Sequence, residues 1–394
     1  MTEARPIDHK ESSHDIPEGF QCFCIEEIGE VLNHQRVPLS TLERANRQGP
    51  YPYYGASGVV DYIDGFLFEG EHVLISEDGE NLSSRKTPIA FKADGKFWVN
   101  NHAHIIKCRS ESLADLLVYY FANLDLHEFI SGAAQPKLNK ANLLSIPIIL
   151  PKFDKEQAQL AATLRRLDDK IDLLRRQNQT LEAMAEALFR QWFLEAAEDN
   201  WIECSVSDLV IHLKQGVQPG DQPSTDFLHF SLPAFDDGMR AVVEAGSQIL
   251  SNKFRVTEGV LLVSKLNPRV SRIWPVQKLP EGAEAICSTE FQVLKPKNPA
   301  WFGYLYGLLT SSDARDALTM AASGTSGSHQ RVRPEDILAI RASLPNIDLA
   351  ERFSSWVEPV LSKRQRNTEQ IADLERMRDA LLPKLMSGEV RVTF

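Results

Sequence analysis

The chain has 394 residues, of which 43% are hydrophobic and 25% charged, and its formal net charge is -11. This length exceeds one ordinary hydrophobic core and predicts two or more domains, and the composition is that of a folded globular protein rather than a disordered one. No apolar run approaches the ~20 residues of a membrane helix, and five cysteines without paired C-x-x-C spacing argue against a disulfide framework or a zinc site, so a reducing cytoplasm is expected.

The first predicted domain spans residues 20–152 and follows a polar tail at 1–19 that lacks the apolar core of a secretory signal. Short β-like runs such as HVLIS and FWVNNHAHIIKC accompany a helical stretch, ESLADLLVYYFANLDLHEF, so this domain is predicted to be α+β. Charge is segregated, because residues 61–80 hold seven acids and no base, whereas residues 82–107 hold five bases and one acid. This pattern suits a basic face on an acidic body or, equally, an ordinary solvated surface.

A polar loop, SGAAQPKLN from Ser131, closes this domain and leads into a short apolar strand that ends at Pro151. Apolar residues then recur at alternating spacings of four and three, which predicts a long helix within residues 153–199, roughly 60 Å in length. Asn178 and Ala185 fill two positions of this heptad seam. Its other members are Leu160, Leu164, Leu167, Ile171, Leu174, Leu181 and Leu188.

A second domain, predicted at residues 200–345, ends on a similar loop, SGTSGSHQRVRP, and precedes a second long helix at 346–388 and a short tail at 389–394. The seam of this helix is interrupted by Arg364, Asn367 and Arg378. Its apolar members are Phe353, Val357, Val360, Ile371, Leu374 and Leu381.

The two long helices are predicted to be antiparallel partners. Asn178 and Asn367 in the seam would lower stability and help fix the register. The alternative is that each is a separate amphipathic helix packed only on its own domain.

Internal repetition supports a tandem duplication. NLLSIPIILP at 142–151 aligns without a gap on DILAIRASLP at 336–345, an offset of 194 residues, and VLIS at 73–76 resembles LLVS at 261–264. AEALFRQWF also aligns on RDALLPKLM. The predicted fold is therefore two pseudo-symmetric α+β domains separated by two long antiparallel coiled-coil helices.

Motifs of catalysis are missing from the sequence. It has no G-x-x-x-x-G-K-[ST] loop, no G-x-G-x-x-G fingerprint after a strand, no H-E-x-x-H and no Asn-Pro-Pro-aromatic stretch. His102 and His104 lack a carboxylate or cysteine at ligand spacing, so they are interpreted as ordinary polar residues rather than metal ligands. No catalytic residue and no metal site are predicted.

Taken together, these features resemble the specificity (S) subunits of type I restriction-modification systems. The resemblance rests on PYYGASGVVDYIDGFLFEGEHVLISEDG, NNHAHII, SGAAQPKLN, GVLLVSKLNP and STEFQVLKP with the two helices, and it covers residues 20–388. It implies two target recognition domains, each reading one half of a split, asymmetric DNA sequence, with the helix pair as a spacer.

The resemblance also implies partners. They would be double-stranded DNA, two methyltransferase (M) subunits and restriction (R) subunits that translocate DNA, with no membrane. The chain itself would be non-catalytic and without a cofactor, since S-adenosylmethionine, ATP and Mg would belong to the partner subunits.

Candidate phosphate contacts lie in the two loops, which contain no acids and carry amide, hydroxyl and basic groups suited to phosphate oxygens. They are Lys137, Asn139 and Lys140 in the first loop and Ser326, Ser328, His329, Gln330, Arg331 and Arg333 in the second. The alternative is that these loops only cap a helix and turn the chain. The second loop is two residues longer, which leaves a residue-by-residue equivalence open, and its arginines predict the stronger grip on phosphate.

Candidate base-reading residues are those whose side chains can make paired hydrogen bonds in the major groove. They are Arg85, Lys86, Asn100 and Asn101 in the first domain and Lys265, Asn267, Arg269 and Arg272 in the second. A competing hypothesis is a coiled-coil adaptor whose two domains bind proteins and never touch DNA. A third is a self-sufficient modification enzyme, which would itself bind S-adenosylmethionine.

Overall fold

The structure is a computed structural model that describes residues 16–132, 135–197, 201–322 and 330–392. It divides into two compact units. Unit 1 consists of Met1–Lys170 with Leu374–Phe394, and unit 2 of Ile171–Asp373. Two long helices are therefore shared between the units, and each unit also contains its own sheets. In the described part of the chain, every helix is too short or too polar to cross a bilayer.

Unit 1 is built from short strands and mostly short helices. The strands are β1 (Phe20–Phe23), β2 (Gly29–Val31), β3 (Gln48–Gly55), β4 (Gly58–Ile63), β5 (Phe68–Glu69), β6 (His72–Ser76), β7 (Ala90–Ala93), β8 (Lys96–Val99), β9 (Ala103–Cys108) and β10 (Ile148–Pro151). The helices are α1 (Ile25–Ile28), α2 (Thr41–Ala45), α3 (Asn81–Ser84), α4 (Glu111–Asn123) and α5 (Lys140–Ser145), followed by α6 (Asp154–Arg190), which continues into unit 2.

Unit 2 repeats this plan. Its strands are β11 (Ile202–Ser205), β12 (Val210–Leu213), β13 (Gly216–Val217), β14 (Asp226–Phe230), β15 (Val242–Ala245), β16 (Lys253–Arg255), β17 (Val260–Ser264), β18 (Ile273–Val276), β19 (Glu284–Ser288), β20 (Phe291–Pro296) and β21 (Arg341–Leu344). Its helices are α7 (Val206–Leu209), α8 (Leu232–Asp236), α9 (Phe302–Thr310), α10 (Ser312–Ala321) and α11 (Pro334–Leu338), followed by α12 (Ile347–Met386), which returns to unit 1.

The sheets of the two units have matching topology. A four-stranded sheet has the order β2-β9-β6-β7 in unit 1 and β12-β20-β17-β18 in unit 2. A second sheet contains one parallel pair in each unit, β3 with β8 and β14 with β19. A two-stranded ladder, β1 with β10 or β11 with β21, completes each set. The predicted α+β class with internal duplication is confirmed.

The central strands are buried, as their uninterrupted apolar sequences predict. All five residues of β6 and all five of β17 are buried. In unit 1 the four-stranded sheet and α4 share one apolar cluster with Leu160 and Leu164 of α6 and Leu382 of α12. In unit 2 the corresponding sheet and α9 cluster with Phe189 of α6 and Phe353 of α12.

Within each unit the two long helices run antiparallel, because ascending residues of α6 meet descending residues of α12. In unit 1, Arg378 lies 3.0 Å from Asp168. In unit 2, Nδ2 of Asn367 donates to Oδ1 of Asn178 at 2.9 Å. Asn367 is fully buried, and its own Oδ1 has no hydrogen-bond donor among the described residues, so this seam position carries the cost of a polar core residue.

Candidate nucleic-acid interface

The first polar loop is held against the end of β6, and we call the contact the first corner (residues 77–79, 102 and 136–139). Leu138 N donates to Glu77 O at 2.7 Å, and Gly79 N donates to Pro136 O at 3.1 Å. Glu77 N in turn donates to His102 O at 2.8 Å. The backbone of the loop is therefore fixed to two strand ends.

Charged side chains surround the first corner. The buried Glu77 carboxylate accepts from Arg36 at 2.6 Å and lies 3.4 Å from Lys137 Nζ. Burial alone would raise the pKa of Glu77, but the hydrogen bond from Arg36 and the neighbouring positive charges outweigh it and lower that pKa. Asp78 lies 2.8 Å from Nδ1 of His102. The acids of this corner are thus matched by bases.

His104 also contacts the first corner. Its Nδ1 lies 2.7 Å from Nδ2 of Asn33 and its Nε2 lies 2.7 Å from Leu138 O. These partners assign a neutral ring that carries its proton on Nε2. Burial lowers the pKa of His104, which keeps the ring neutral. Within the described ranges, no group of three or more His, Cys, Asp or Glu side chains could hold a metal ion.

The second polar loop meets the end of β17 in the same way, and we call this contact the second corner (residues 265–267, 290 and 330–333). Val332 N donates to Lys265 O at 3.0 Å, Asn267 N to Gln330 O at 2.8 Å, and Lys265 N to Glu290 O at 2.8 Å. The two loops are therefore equivalent residue by residue from Pro136 and Gln330 onward, which settles the question left open by their different lengths.

The predicted phosphate contacts of the first loop differ in how exposed their side chains are and in whether they bond within the protein. The Lys137 side chain is 50% exposed although it lies beside Glu77. Lys140 is exposed at the start of α5. Oδ1 of Asn139 accepts from Asn142 N at 2.9 Å and so caps α5. For Asn139, the alternative of a helix cap is the role that the structure shows.

In the second loop, Arg331 and Arg333 are 61% and 78% exposed and pair with Glu290 at 2.9 Å and Asp336 at 3.2 Å. Arg333 occupies the position of Asn139, immediately before α11. Gln330 lies in the second corner. Ser326, Ser328 and His329 lie outside the described residues.

The base-reading candidates of unit 1 are partly engaged within the protein. The Arg85 guanidinium donates to the carbonyls of Phe121, Ala122 and Leu124, so it caps the end of α4. Lys86 is largely exposed, 3.9 Å from Glu80. Asn100 accepts from His102 N, and Asn101 is exposed beside it.

In unit 2, Lys265 and Asn267 belong to the second corner itself. Arg272 pairs with Asp236 at 2.7 Å and donates to Leu266 O, which attaches it to the corner. Arg269 is exposed in the turn after Asn267. The structure thus brings Lys265, Asn267, Gln330 and Arg331 together.

Sequence reasoning missed the acids of both corners. Glu77, Asp78 and Glu290 are acidic, and an acidic side chain gives no sequence signal for phosphate binding. The signal that could have found them is the repeat of VLIS in LLVS, since the residues that follow those strands form the corners. Ile75 of β6 pairs with His104 of β9, and Val263 of β17 pairs with Gln292 of β20. Strands β6 and β9 of unit 1 therefore correspond to β17 and β20 of unit 2 at an offset of 188 residues.

The predicted helix seam is buried to different degrees. Leu160, Leu164, Ile171, Leu174, Phe353 and Val357 are buried, whereas Leu167, Leu181, Leu188, Val360, Ile371, Leu374 and Leu381 are partly exposed. In α12 the neighbouring Leu361, Ala372 and Leu382 are more buried than the predicted Val360, Ile371 and Leu381. The apolar line of α12 is therefore displaced by one residue at these turns.

Comparison with known proteins finds similarity to type I restriction-modification specificity subunits. Residues 17–183 match the family model described as the type I restriction modification DNA specificity domain. The type I restriction enzyme MjaIX specificity subunit of Methanocaldococcus jannaschii is 24% identical over 96% of this chain and 95% of its own length. The chain is thus similar to type I specificity subunits over nearly its whole length, and its first part matches their DNA specificity domain.

Two further similarities agree with this family. A Haemophilus influenzae type I restriction enzyme specificity subunit is 38% identical over 127 residues, which span 32% of this chain and 32% of that relative. The crystal structure of a type I restriction-modification system S subunit from M. genitalium has a TM-score of 0.62 at 13% identity and covers 95% of this chain and 97% of that one. The fold of this specificity-subunit relative is therefore shared over nearly the whole chain.

Proposed function

We propose that this chain is the DNA-reading subunit of a type I restriction-modification complex. Residues 20–152 and 200–345 would be its target recognition domains, each contacting one half of a bipartite, asymmetric site. The observation that carries the proposal is the pair of equivalent corners, which place a cation, Lys137 or Arg331, at the same backbone position in both units. A protein that grips two half-sites needs one such phosphate contact in each domain.

The charge of these cations is available to phosphate despite their ion pairs. Arg331 and Arg333 are mostly exposed, and exposed ion pairs contribute little to stability. Such pairs can exchange a carboxylate for a phosphate oxygen when DNA approaches. Each phosphate contact releases counterions, so affinity must fall steeply with salt.

The test is a mobility-shift titration of the chain assembled with its methyltransferase partner. The double variant Arg331→Ala with Arg333→Ala should weaken binding to all sequences about equally and reduce the salt slope by about one or two. Arg341→Ala is the matched control, because Arg341 is an exposed arginine on β21 of the same unit. A changed target sequence at unchanged affinity would contradict the phosphate role, and binding without sequence preference would favour the adaptor hypothesis.

A repeated motif with an exposed methionine supports binding of two methyltransferase subunits. Residues 181–188, LEAMAEAL, match residues 374–381, LERMRDAL, at leucine, glutamate, methionine and alanine positions. Met184 and Met377 are 40% and 50% exposed. Exposed methionines at equivalent positions suit a partner that is present in two copies, since each copy must meet the same side chains.

This proposal predicts the stoichiometry of single variants. Met184→Glu or Met377→Glu should each leave one methyltransferase copy on the complex, and the double variant none, as measured by native mass spectrometry. Met320→Glu is the control, because Met320 is 81% exposed on α10, outside the motif. Loss of both copies in each single variant, or of neither in the double variant, would contradict a separate site for each copy.

We also propose that the chain has no catalytic role, and that S-adenosylmethionine, ATP and Mg are bound by the partner subunits. Calorimetric titration of the isolated chain with S-adenosylmethionine should show no binding. Clear binding would favour a modification enzyme instead.

A further inference from the structure

The two corners share one backbone. Three backbone hydrogen bonds join equivalent atoms in the two corners. Leu138 N to Glu77 O (2.7 Å) matches Val332 N to Lys265 O (3.0 Å), and Gly79 N to Pro136 O (3.1 Å) matches Asn267 N to Gln330 O (2.8 Å). The third pair, from Glu77 N to His102 O and from Lys265 N to Glu290 O, is 2.8 Å long in both. The backbone also has a positive φ at the same position of both corners, +110° at Gly79 and +47° at Asn267. Positive φ is strained for most residues and accepted by glycine and asparagine. The duplication has therefore kept the scaffold of the corner.

The side chains on this scaffold have all changed. Glu77 is replaced by Lys265 and Asp78 by Leu266, while Gly79, His102 and Pro136 are replaced by Asn267, Glu290 and Gln330. The charge is reversed between Glu77 and Lys265, and the imidazole of His102 is replaced by the carboxylate of Glu290. A fixed backbone with exchanged polar side chains is what two readers of different sequences require.

The second corner also contains oxygen atoms that lack a donor. Oδ1 of Asn267, Oε2 of Glu290 and Oε1 of Gln330 are shielded from solvent and have no hydrogen-bond partner in the part of the chain that the structure describes. In the first corner, by contrast, both oxygens of Glu77 face cations and Asp78 faces His102. A shielded acceptor without a donor loses free energy that a suitable donor would restore.

Paired amide and carboxylate acceptors match particular bases. Asn and Gln bind the N6 amino group and N7 of adenine, and Asp and Glu accept from the N4 amino group of cytosine. Guanine and thymine present no amino donor in the major groove. Arg331 lies 2.9 Å from Glu290, so an exposed positive charge stands beside these acceptors.

We propose that the two corners are the elements that distinguish the half-sites, and that the second corner reads a base with an exocyclic amino group, adenine or cytosine. This inference rests on the proposed DNA-reading function. It names Asn267, Gln330 and Glu290 as specificity-determining residues of unit 2. In unit 1 it names Asp78 and His102, which occupy the positions of Leu266 and Glu290.

The decisive variant is Asn267→Gly. Gly79 occupies the same backbone position in unit 1, so glycine at 267 keeps the turn and removes only the side chain. Sites methylated by the assembled complex would be mapped in a randomised plasmid library. Discrimination should fall by about tenfold or more at one position of the second half-site, and the first half-site should remain unchanged. Gln330→Ala should affect the same position or its neighbour.

Lys295→Ala is the matched control, because Lys295 is an exposed cation on β20 of the same unit and lies outside the corner. The wild-type complex would also be tested on duplexes in which the affected base lacks its amino group, purine for adenine or 2-pyrimidinone for cytosine. We expect wild-type binding to weaken and Asn267→Gly binding to stay constant, and the duplex that shows this identifies the base.

The outcomes separate the two proposals. A wild-type complex without a sequence preference would overturn the DNA-reading function itself. A specific wild-type complex whose preference is unaltered by Asn267→Gly and Gln330→Ala, or altered only in the first half-site, would overturn this inference alone.

Discussion

The two units attach a sheet-bound helix to the long helices by different chemistry. In unit 1, α4 presents Asp115 and Tyr119, four residues apart on one face. Asp115 is 5% exposed and accepts from Lys92 at 2.6 Å and from Arg165 at 2.7 Å. The Tyr119 hydroxyl donates to Asp168 at 2.6 Å. Burial and the neighbouring Asp168 raise the pKa of Tyr119, which keeps this hydroxyl a donor.

In unit 2, α9 presents glycines at the same two positions, 188 residues later. Gly303 N donates to Oγ of Ser354 at 2.9 Å, and a Cβ on Gly307 would clash with Cδ2 of Phe189. One unit therefore joins its helices by paired charges and the other by close approach. The duplication has therefore conserved where the helices meet and not the interaction that joins them.

The largest expected effect is on the close contact of unit 2. Gly307→Ala places a methyl group against the buried Phe189 ring, which neighbouring aromatic rings at Phe193, Tyr304 and Phe353 prevent from moving aside. We expect the free energy of unfolding to fall by about 3 kcal/mol, as measured by denaturant titration. Gly216→Ala is the control, since nothing lies within 4 Å of a Cβ there. Equal effects at both glycines would contradict the packing account.

The next effect is on the charges of unit 1. Asp115→Ala leaves Lys92 and Arg165 without their shared carboxylate. We expect the free energy of unfolding, measured by denaturant titration, to fall by about 2 kcal/mol. This is below the 3–5 kcal/mol typical of fully buried pairs, because the two cations are about one-third exposed. Asp172→Ala is the control, since Asp172 lies on α6, the long helix that carries Arg165, and is 67% exposed. A loss as small as that of the control would show that Asp115 does not join the helices.

The smallest expected effect is on the pH dependence of stability. His104 in unit 1 corresponds to Gln292 in unit 2, and burial lowers the pKa of His104. The unfolded chain therefore binds a proton that the folded chain resists, so stability falls as pH drops below about 6.5. At pH 5.5 this costs at most about 1.4 kcal/mol.

His104→Gln keeps an acceptor for Asn33 and a donor for Leu138 but cannot titrate. The variant should match the wild type at pH 8 and lose less stability on acidification, as measured by thermal unfolding across pH. Buried His72, whose pKa is also lowered by burial, should account for part of the remaining dependence. Parallel pH profiles of variant and wild type would exclude His104 as a source.

Much of the architecture could be predicted from the sequence because it depends on periodicity and repetition. The heptads predicted both long helices, and the offset of 194 residues predicted the duplication. The choice between Val360 and Leu361 could not be made, because an α-helix drifts against a seven-residue repeat and either residue can face the partner helix.

The candidate site was less predictable, because its chemistry depends on residues distant in sequence. Lys137 and Arg331 were found from their loops, but their acidic neighbours Glu77 and Glu290 come from separate strands. Arg85 was predicted to contact bases because of its charge, and that prediction stays open. The contact of its guanidinium with the end of α4 could not be predicted, because the two segments are distant in sequence.

The two-stranded ladders have a consequence for evolution. Phe20 lies opposite Pro151, and Ile202 lies opposite Leu344. The chain therefore enters and leaves each sheet-rich region at neighbouring points, just before a long helix begins. A recombination event with breakpoints in these short ladders would exchange the whole intervening region as a cassette and leave both helices continuous. Under the proposed DNA-reading function, such an exchange would change the target sequence in a single genetic step.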